Sequence, residues 1–472
     1  MDKNVAISIL NVSDIYSFLE NLKEVTSKIE VLKIKSNILD VIVHVDIMDG
    51  NFVNNTGVDL KCIKIARDFG FYTDTHLMVK KPVVDKYIEK AIAYGTNEIT
   101  IHYEIENFEE TLNYLNKKRE KIIKESNKEL VIGVAIKPNT SVKELVKYKE
   151  LFSKILVMTV EPGYGGQKYI DSMNEKIKLA KKLFPNHIIQ IDGGVNFDTL
   201  DIPLREGVES FVIGSYLTKS VANELYNKLI CLSIKNEIEN LPKKIDLEFE
   251  KRTLQIVPSG YGENDTLIGV NVPDTRKLAN KWYKYINYDI LDNFISSNYH
   301  EYRRFAIFCL SNIIKISIKN NNFKEIERVN QYIENNMLYI NNWDLTDEVA
   351  PNITGRYLEN LSYDKRKEKI DEYIYSDNLW KKRIGIVSEL VFARKGAEDT
   401  VFYVLDKVIY EKFHLFQKAS GWVLRELYKK KPNVVLEYLK DKNRKENLPT
   451  ILLTYACEKM TSEEKEYVKG KR

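Results

Sequence analysis

The sequence predicts two domains of different class: an α/β (β/α)₈ barrel over residues 1–235, then an all-α helical-repeat domain over residues 243–472. Three observations predict this. At 472 residues the chain is longer than one hydrophobic core usually supports. Its first half alternates eight short β-rich runs with longer amphipathic Lys/Glu-rich segments, and eight β/α units in roughly 220 residues fit a closed barrel. Beyond that half convincing strands are few, and helical periods succeed one another to the end.

The β-type runs are VAISI (5–9), VIVHVDI (41–47), FYTDTHL (71–77), EITIHYE (98–104), VIGVAI (131–136), ILVMTV (155–160), IIQID (188–192) and SFVIGS (210–215). Most are separated by enough chain for a helix, as parallel strands require. An open doubly wound sheet is the alternative, and the absence of GxGxxG after the first run counts against its dinucleotide-binding form. The boundary is expected between Leu232 and Pro242. Beyond it, EYRRFAIFCLSNIIKI (301–316) and ASGWVLRELYKK (419–430) have helical period, and short Pro-, Gly- or Asn-containing turns separate such segments. That suggests stacked helical pairs, although no strict sequence period is present.

Composition narrows the class. The chain is 44% hydrophobic and 30% charged, and it holds no apolar run of membrane-spanning length. The opening MDKNVAISIL lacks the pattern of a secretory signal. Four separated cysteines, Cys62, Cys231, Cys309 and Cys457, suggest reduced thiols, so a cytoplasmic protein with no membrane partner is expected. Residues 1–240 hold 32 Lys+Arg against 34 Asp+Glu, leaving 40 against 34 for the rest. A basic excess confined to the second half hints at a polyanionic partner there, although solvated lysine-rich helices give the same total.

The stretch VHVDIMDG (43–50) shows where chemistry lies. Period-two alternation turns His44, Asp46 and Met48 to one face and Val43, Val45 and Ile47 to the other. Ser8, His76, His102 with Glu104, Asp192 and Gly214-Ser215 also fall near the C-terminal ends of their runs, where barrels of this type keep their active sites. A lone histidine is more often a satisfied structural residue. Two histidines and two aspartates converging on one barrel mouth fit a divalent transition-metal site better.

HVDIMDGNFV, DTHLM, GVAIKPNT, VMTVEPGYGGQ and IDGGV, in this order over residues 3–222, resemble the ribulose-phosphate 3-epimerases. The resemblance implies a TIM-type barrel with one divalent ion (Zn, Fe, Mn or Co) on His44, Asp46, His76 and Asp192. It implies Asp46 and Asp192 as the acid/base pair on opposite faces of C3 of a ketose phosphate. Ser8 and Met48 would contact substrate, phosphate would sit around Gly193-Gly194 and Gly214-Ser215, and Gly165-Gly166 would belong to a mobile loop over the site. Asn54 and Ile7 stand where that family usually has proline, which leaves a pentulose or a hexulose 6-phosphate open as substrate. A homo-oligomer through the barrel is a further expectation.

In the second half three of the four tryptophans have a charged neighbour at helical spacing: Trp343–Asp347, Trp380–Arg383 and Trp422–Arg425. Core tryptophans with flanking surface charges give the same pattern. GYGENDTLIGVNVPDTRKLA (260–279), NNWDLTD, NLWKKR and KASGWVLRE resemble the HEAT-like helical-repeat DNA alkylation-repair proteins, which include glycosylases. By that resemblance Trp343, Asp347, Arg383 and Trp422 line a lesion-binding groove in alkylated duplex DNA, with Asp347 catalytic and no cofactor. Arg383, Arg425 and nearby lysines would serve DNA binding, Arg383 on backbone phosphates. A non-catalytic DNA-binding or scaffolding role for this half is the alternative.

Overall fold

The computed structural model describes residues 3–31, 39–244 and 246–469, and the chain divides into two compact units, Met1–Asn240 and Leu241–Arg472. In the first unit eight parallel strands close a barrel in sequence order: β1 (Asn4–Ser8), β2 (Asp40–Met48), β3 (Thr73–Met78), β4 (Glu98–His102), β5 (Val131–Ile136), β6 (Lys154–Met158), β7 (Ile188–Asp192) and β8 (Ser210–Ile213). The fold is therefore the barrel that the alternation predicts, not the open sheet. Helices on its outside cover the apolar faces that Val43, Val45 and Ile47 typify, all three of them buried.

Register places the chemistry. His44 lies beside Asp74, Asp46 beside His76 and Met48 beside Met78; across the barrel Met158 lies beside Asp192. Strands step by two residues per face, so one inward row on each strand holds the polar groups. The upper part of this row holds His44, Asp46, His76, His102 and Asp192. The lower part holds Asp74, Glu98, Lys154, Gln190 and Ser210, all buried. Ala6, Ile42, Ala135, Leu156, Met158, Val160 and Val212 fill the remaining interior. A β-barrel core of this class is normally filled by branched apolar side chains; here half of it is a hydrogen-bonded polar lattice. Four strands are shorter than their β-rich runs: β3 starts only at Thr73, β4 stops at His102, β6 at Met158 and β8 at Ile213. The last helix of this unit, Ala222–Asn240, continues past the expected barrel end at residue 235.

The second unit is helical. Its largely aliphatic core includes an aromatic group: Trp282, Phe294, Tyr302 and Phe305 are fully buried, and Phe294 meets Tyr302 edge-on at 5.7 Å and 89°. Helix starts are capped by asparagines whose side-chain oxygens accept backbone N–H groups: Asn271 from Asp274, Asn287 from Ile290, Asn342 from Trp343, and Asn378 from Trp380 and Lys381. The helix Trp343–Val349 continues through a π-turn, Ala350–Thr354, into Gly355–Leu358. Pro351 explains the π-turn, because it has no N–H to donate to the carbonyl of Asp347. Among the described residues no helix is long and apolar enough to cross a membrane, and all four cysteines are free.

Candidate functional sites

In the barrel, one ligand atom from each of His44, Asp46, His76 and Asp192 falls within 4.8 Å of the others. The contacts are His44 Nε2–Asp46 Oδ1 at 3.2 Å, His76 Nδ1–Asp46 Oδ1 at 3.1 Å and His76 Nδ1–Asp192 Oδ2 at 3.9 Å. Two imidazoles and two carboxylates converging on one point suit a first-row divalent ion, so the residues present fit such a group. Each histidine is oriented from behind. His44 Nδ1 meets Asp74 Oδ2 at 2.8 Å, leaving Nε2 toward the cluster. His76 Nε2 meets His102 Nε2 at 2.9 Å, and His102 Nδ1 meets Glu104 Oε2 at 3.0 Å. Ser8 Oγ donates to Asp46 Oδ2 at 2.7 Å.

The two aspartates titrate far apart in the metal-free chain. Burial pushes Asp46 up, but His44 and His76 outweigh it and hold the carboxyl well below the usual range. Burial and the neighbouring Asp46 charge push Asp192 up to about 7. Burial pulls His44 down, yet Asp46 and Asp74 hold it well above 6.5, whereas His76 falls to about 4 because burial dominates there. A carboxyl held ionised and one whose titration is lifted to about 7 thus face the same space, which suits an acid/base pair.

That space is a cleft of about 580 Å³. Its wall includes Asp46, Asp192 and every residue expected to touch substrate: Ser8, Met48, Gly165, Gly166, Gly193, Gly194, Gly214 and Ser215. His44 and His76 lie fully buried beneath it. Gly193 and Gly194 have φ +117° and +66°, and a Cβ on Gly194 would strike the Tyr169 backbone nitrogen at 2.3 Å. The segment 162–167 is tied to the loop after β2: Asn55 Nδ2 donates to the Gly163 carbonyl at 2.6 Å, and the Tyr164 hydroxyl donates to the Asn54 carbonyl at 2.7 Å. Asn11, Asn196 and Tyr216 also line the wall and fall outside the sequence motifs.

The second unit holds a separate cleft of about 630 Å³. Trp343, Asp347, Arg383, Trp422 and Arg425 all line it, joined by Tyr261, His414, Lys418 and Tyr455 among others. Arg383 grips Asp347 with two parallel bonds, Nε–Oδ1 at 3.0 Å and Nη2–Oδ2 at 2.9 Å, and its Nη1 donates to the Leu415 carbonyl at 2.5 Å. Arg383 is 4% exposed. Three of its five N–H donors are engaged by Asp347 and the Leu415 carbonyl, so one role of Arg383 is to hold Asp347 in place. Arg425 pairs with Glu458 and Glu426. Trp380 is buried, edge-on to Tyr261 at 5.1 Å, and stands outside the cleft wall. Burial lifts the Asp347 carboxyl above its usual range against the pull of Arg383. The start of its helix is pinned from below by buried His300, whose Nδ1 meets Asp265 at 3.0 Å and whose Nε2 meets Asp344 at 2.8 Å. Sequence reasoning missed His300 because its partners lie 35 and 44 residues away.

Residues 16–218 match the model of the ribulose-phosphate 3 epimerase family, and residues 234–460 match that of the DNA alkylation repair enzyme family. The cytoplasmic isoform of ribulose-phosphate 3-epimerase from Oryza sativa subsp. japonica is 35% identical over 178 residues, covering 36% of this chain and 73% of the rice protein. Ribulose-phosphate 3-epimerase from Aquifex aeolicus is 33% identical over 179 residues, covering 37% of this chain and 76% of its own length. A solved structure described as a predicted DNA alkylation repair enzyme from Enterococcus faecalis aligns with 47% of this chain and 100% of its own, at 16% identity and a TM-score of 0.36.

The titrations set a pH dependence. His44 must be neutral to hold a divalent ion and is protonated over this range, so binding releases its proton and affinity rises with pH. Between about pH 5.5 and 7 the apparent affinity of the metal-stripped chain for Zn²⁺ is expected to rise about tenfold or more per unit. Calorimetric titration at three pH values checks this; an affinity flat with pH contradicts it.

Proposed function

The chain belongs to the ribulose-phosphate 3-epimerase family, and from that premise we propose that its barrel interconverts D-ribulose 5-phosphate and D-xylulose 5-phosphate. The observation that supports this most is that Asp46 and Asp192 share the wall of one cleft, the first held low by its histidines and the second lifted to about 7 by burial. Inversion at C3 needs a base on one face of the carbon and an acid on the other. In one direction Asp46 takes the C3 proton on an Oδ atom while Asp192 delivers its own to the opposite face; in the reverse direction the roles exchange. His44, Asp46, His76 and Asp192 would hold a divalent ion, which would supply positive charge to offset the negative charge that develops on the substrate. Ser8 holds Asp46 through its Oδ2. Met48, Val53 and Met78 form an apolar cluster beside the cleft. Backbone around Gly193-Gly194 and Gly214-Ser215 takes the phosphate, because absent or small side chains there let the ligand approach the N–H groups.

For the second unit the proposed activity is excision of cationic N3- or N7-alkylated purines from duplex DNA. The support is one cleft holding Asp347 between Trp343 and Trp422. Alkylation makes the base cationic and a good leaving group, so no general acid is needed. What remains is positive charge developing on the deoxyribose. Asp347, fixed by Arg383, stabilises that charge, and the indoles attract cationic groups. Lys418 on the same wall offers a charge to phosphate.

Asp46→Asn and Asp192→Asn are each expected to lower epimerase kcat by about 10²–10⁴-fold with the fold retained, read by xylulose 5-phosphate formation and circular dichroism. Near-normal turnover in either sinks the two-carboxylate mechanism. Asp347→Asn is expected to slow release of methylated purines from alkylated duplex DNA by about 10²-fold or more while DNA binding changes little. Salt-sensitive binding without excision by the unaltered chain would make this unit a binding module.

A further inference from the structure

Beneath the metal-ligand cluster the barrel floor contains a lysine that the proposed chemistry does not use. Lys154, the first residue of β6, is fully buried, and its Nζ lies 2.6 Å from Asp74 Oδ1 and 2.6 Å from Glu98 Oε2. The fold makes room for it. Gly133 is its register partner on β5, and a Cβ there would stand 2.7 Å from Lys154 Cε and 2.5 Å from Thr100 Oγ1. Asp74 is the hub of this floor. Its Oδ1 is held by Lys154; its Oδ2 is shared by His44 Nδ1 at 2.8 Å and Gln190 Nε2 at 2.7 Å. Gln190 passes on to Ser210 Oγ at 2.8 Å, and Ser210 to Asn4 Oδ1 at 2.6 Å.

We propose that Lys154 is a positioning residue for the metal centre: it anchors Asp74 Oδ1, so that Oδ2 fixes the ring of His44 with Nε2 aimed at the cluster. Two physical points support it. Buried charges persist when paired, and breaking one such pair strands its partner; Lys154 is the cation bonded to both floor carboxylates. A histidine ligand depends on what its other nitrogen bonds, and loss of such outer partners typically costs 10–100-fold in metal affinity. Lys154 reaches the metal only through Asp74 and His44, so its effect is on ligand geometry, not on substrate. Glu98 provides the contrast: it shares the lysine but bonds neither Asp74 nor His44 in the distances above.

This inference rests on the metal-site reading, and the test separates the two. Co²⁺ is titrated into the metal-stripped full chain, and its visible d–d absorption is followed for the unaltered protein, Lys154→Met and Glu98→Gln. The expected result is binding at least about tenfold weaker in Lys154→Met with an altered Co²⁺ spectrum, and binding within about threefold in Glu98→Gln. Equal binding and an unchanged spectrum in folded Lys154→Met overturn the role of Lys154 while leaving the metal site intact. No binding by the unaltered chain overturns the metal-site reading itself. Should Lys154→Met fail to fold, Gly133→Ala displaces the lysine stem without removing its charge; a severalfold loss of Co²⁺ affinity is expected, and no loss overturns the proposal.

Discussion

The barrel unit depends on one electrostatic constraint: Asp46, Asp74 and Asp192 are crowded inside a closed sheet, the first two buried and Asp192 partly so. Carboxylates that close can remain there only if cations, hydrogen-bond donors or protons balance them. The structure uses all three. Lys154 balances Asp74, His44 and His76 balance Asp46, and Asp192 keeps a proton until about pH 7. A divalent ion on the same ligands would add fixed positive charge among them. The polar lattice that crosses the floor from Lys154 to Asn4 is the structural consequence of putting so much charge in a core.

The helical unit solves a related problem with one ion pair. Asp347 sits beside two indoles in a cleft, where an isolated carboxylate would be costly, and the planar guanidinium of Arg383 satisfies both of its oxygens. The arginine is in turn held by a backbone carbonyl, the aspartate's helix by His300 below, and the π-turn at Pro351 follows directly. Each of these fixes one carboxylate within a wall that Trp343 and Trp422 share.

Much of this was legible in the chain because the signal was local. Alternation in VHVDIMDG gave the inward face of β2 outright, and the eight β-rich runs gave the barrel. What the runs missed is instructive. ILVMTV was read from Ile155, and Lys154 fell outside it, because a lysine at a strand start reads as solvated. Its burial is decided by Asp74 and Glu98, 80 and 56 residues away, and by the empty space at Gly133. Sequence spacing reports the neighbours of Arg383 on its own helix and not the aspartate 36 residues before it that its guanidinium grips. The spacing of Trp380 likewise matched that of Trp422, yet one is buried outside the cleft and the other lines it, a difference set by which helix lies opposite.

The central claim is that Asp46 and Asp192 act on opposite faces of one carbon in the barrel. Its most direct test is solvent exchange: D-ribulose 5-phosphate incubated with the metal-loaded full chain in D₂O, followed by proton NMR of the C3 position. The account predicts loss of the C3 proton signal and xylulose 5-phosphate that carries deuterium at C3, because the proton removed and the proton returned come from different groups. Retention of the original proton at C3, or no exchange at all, would contradict it.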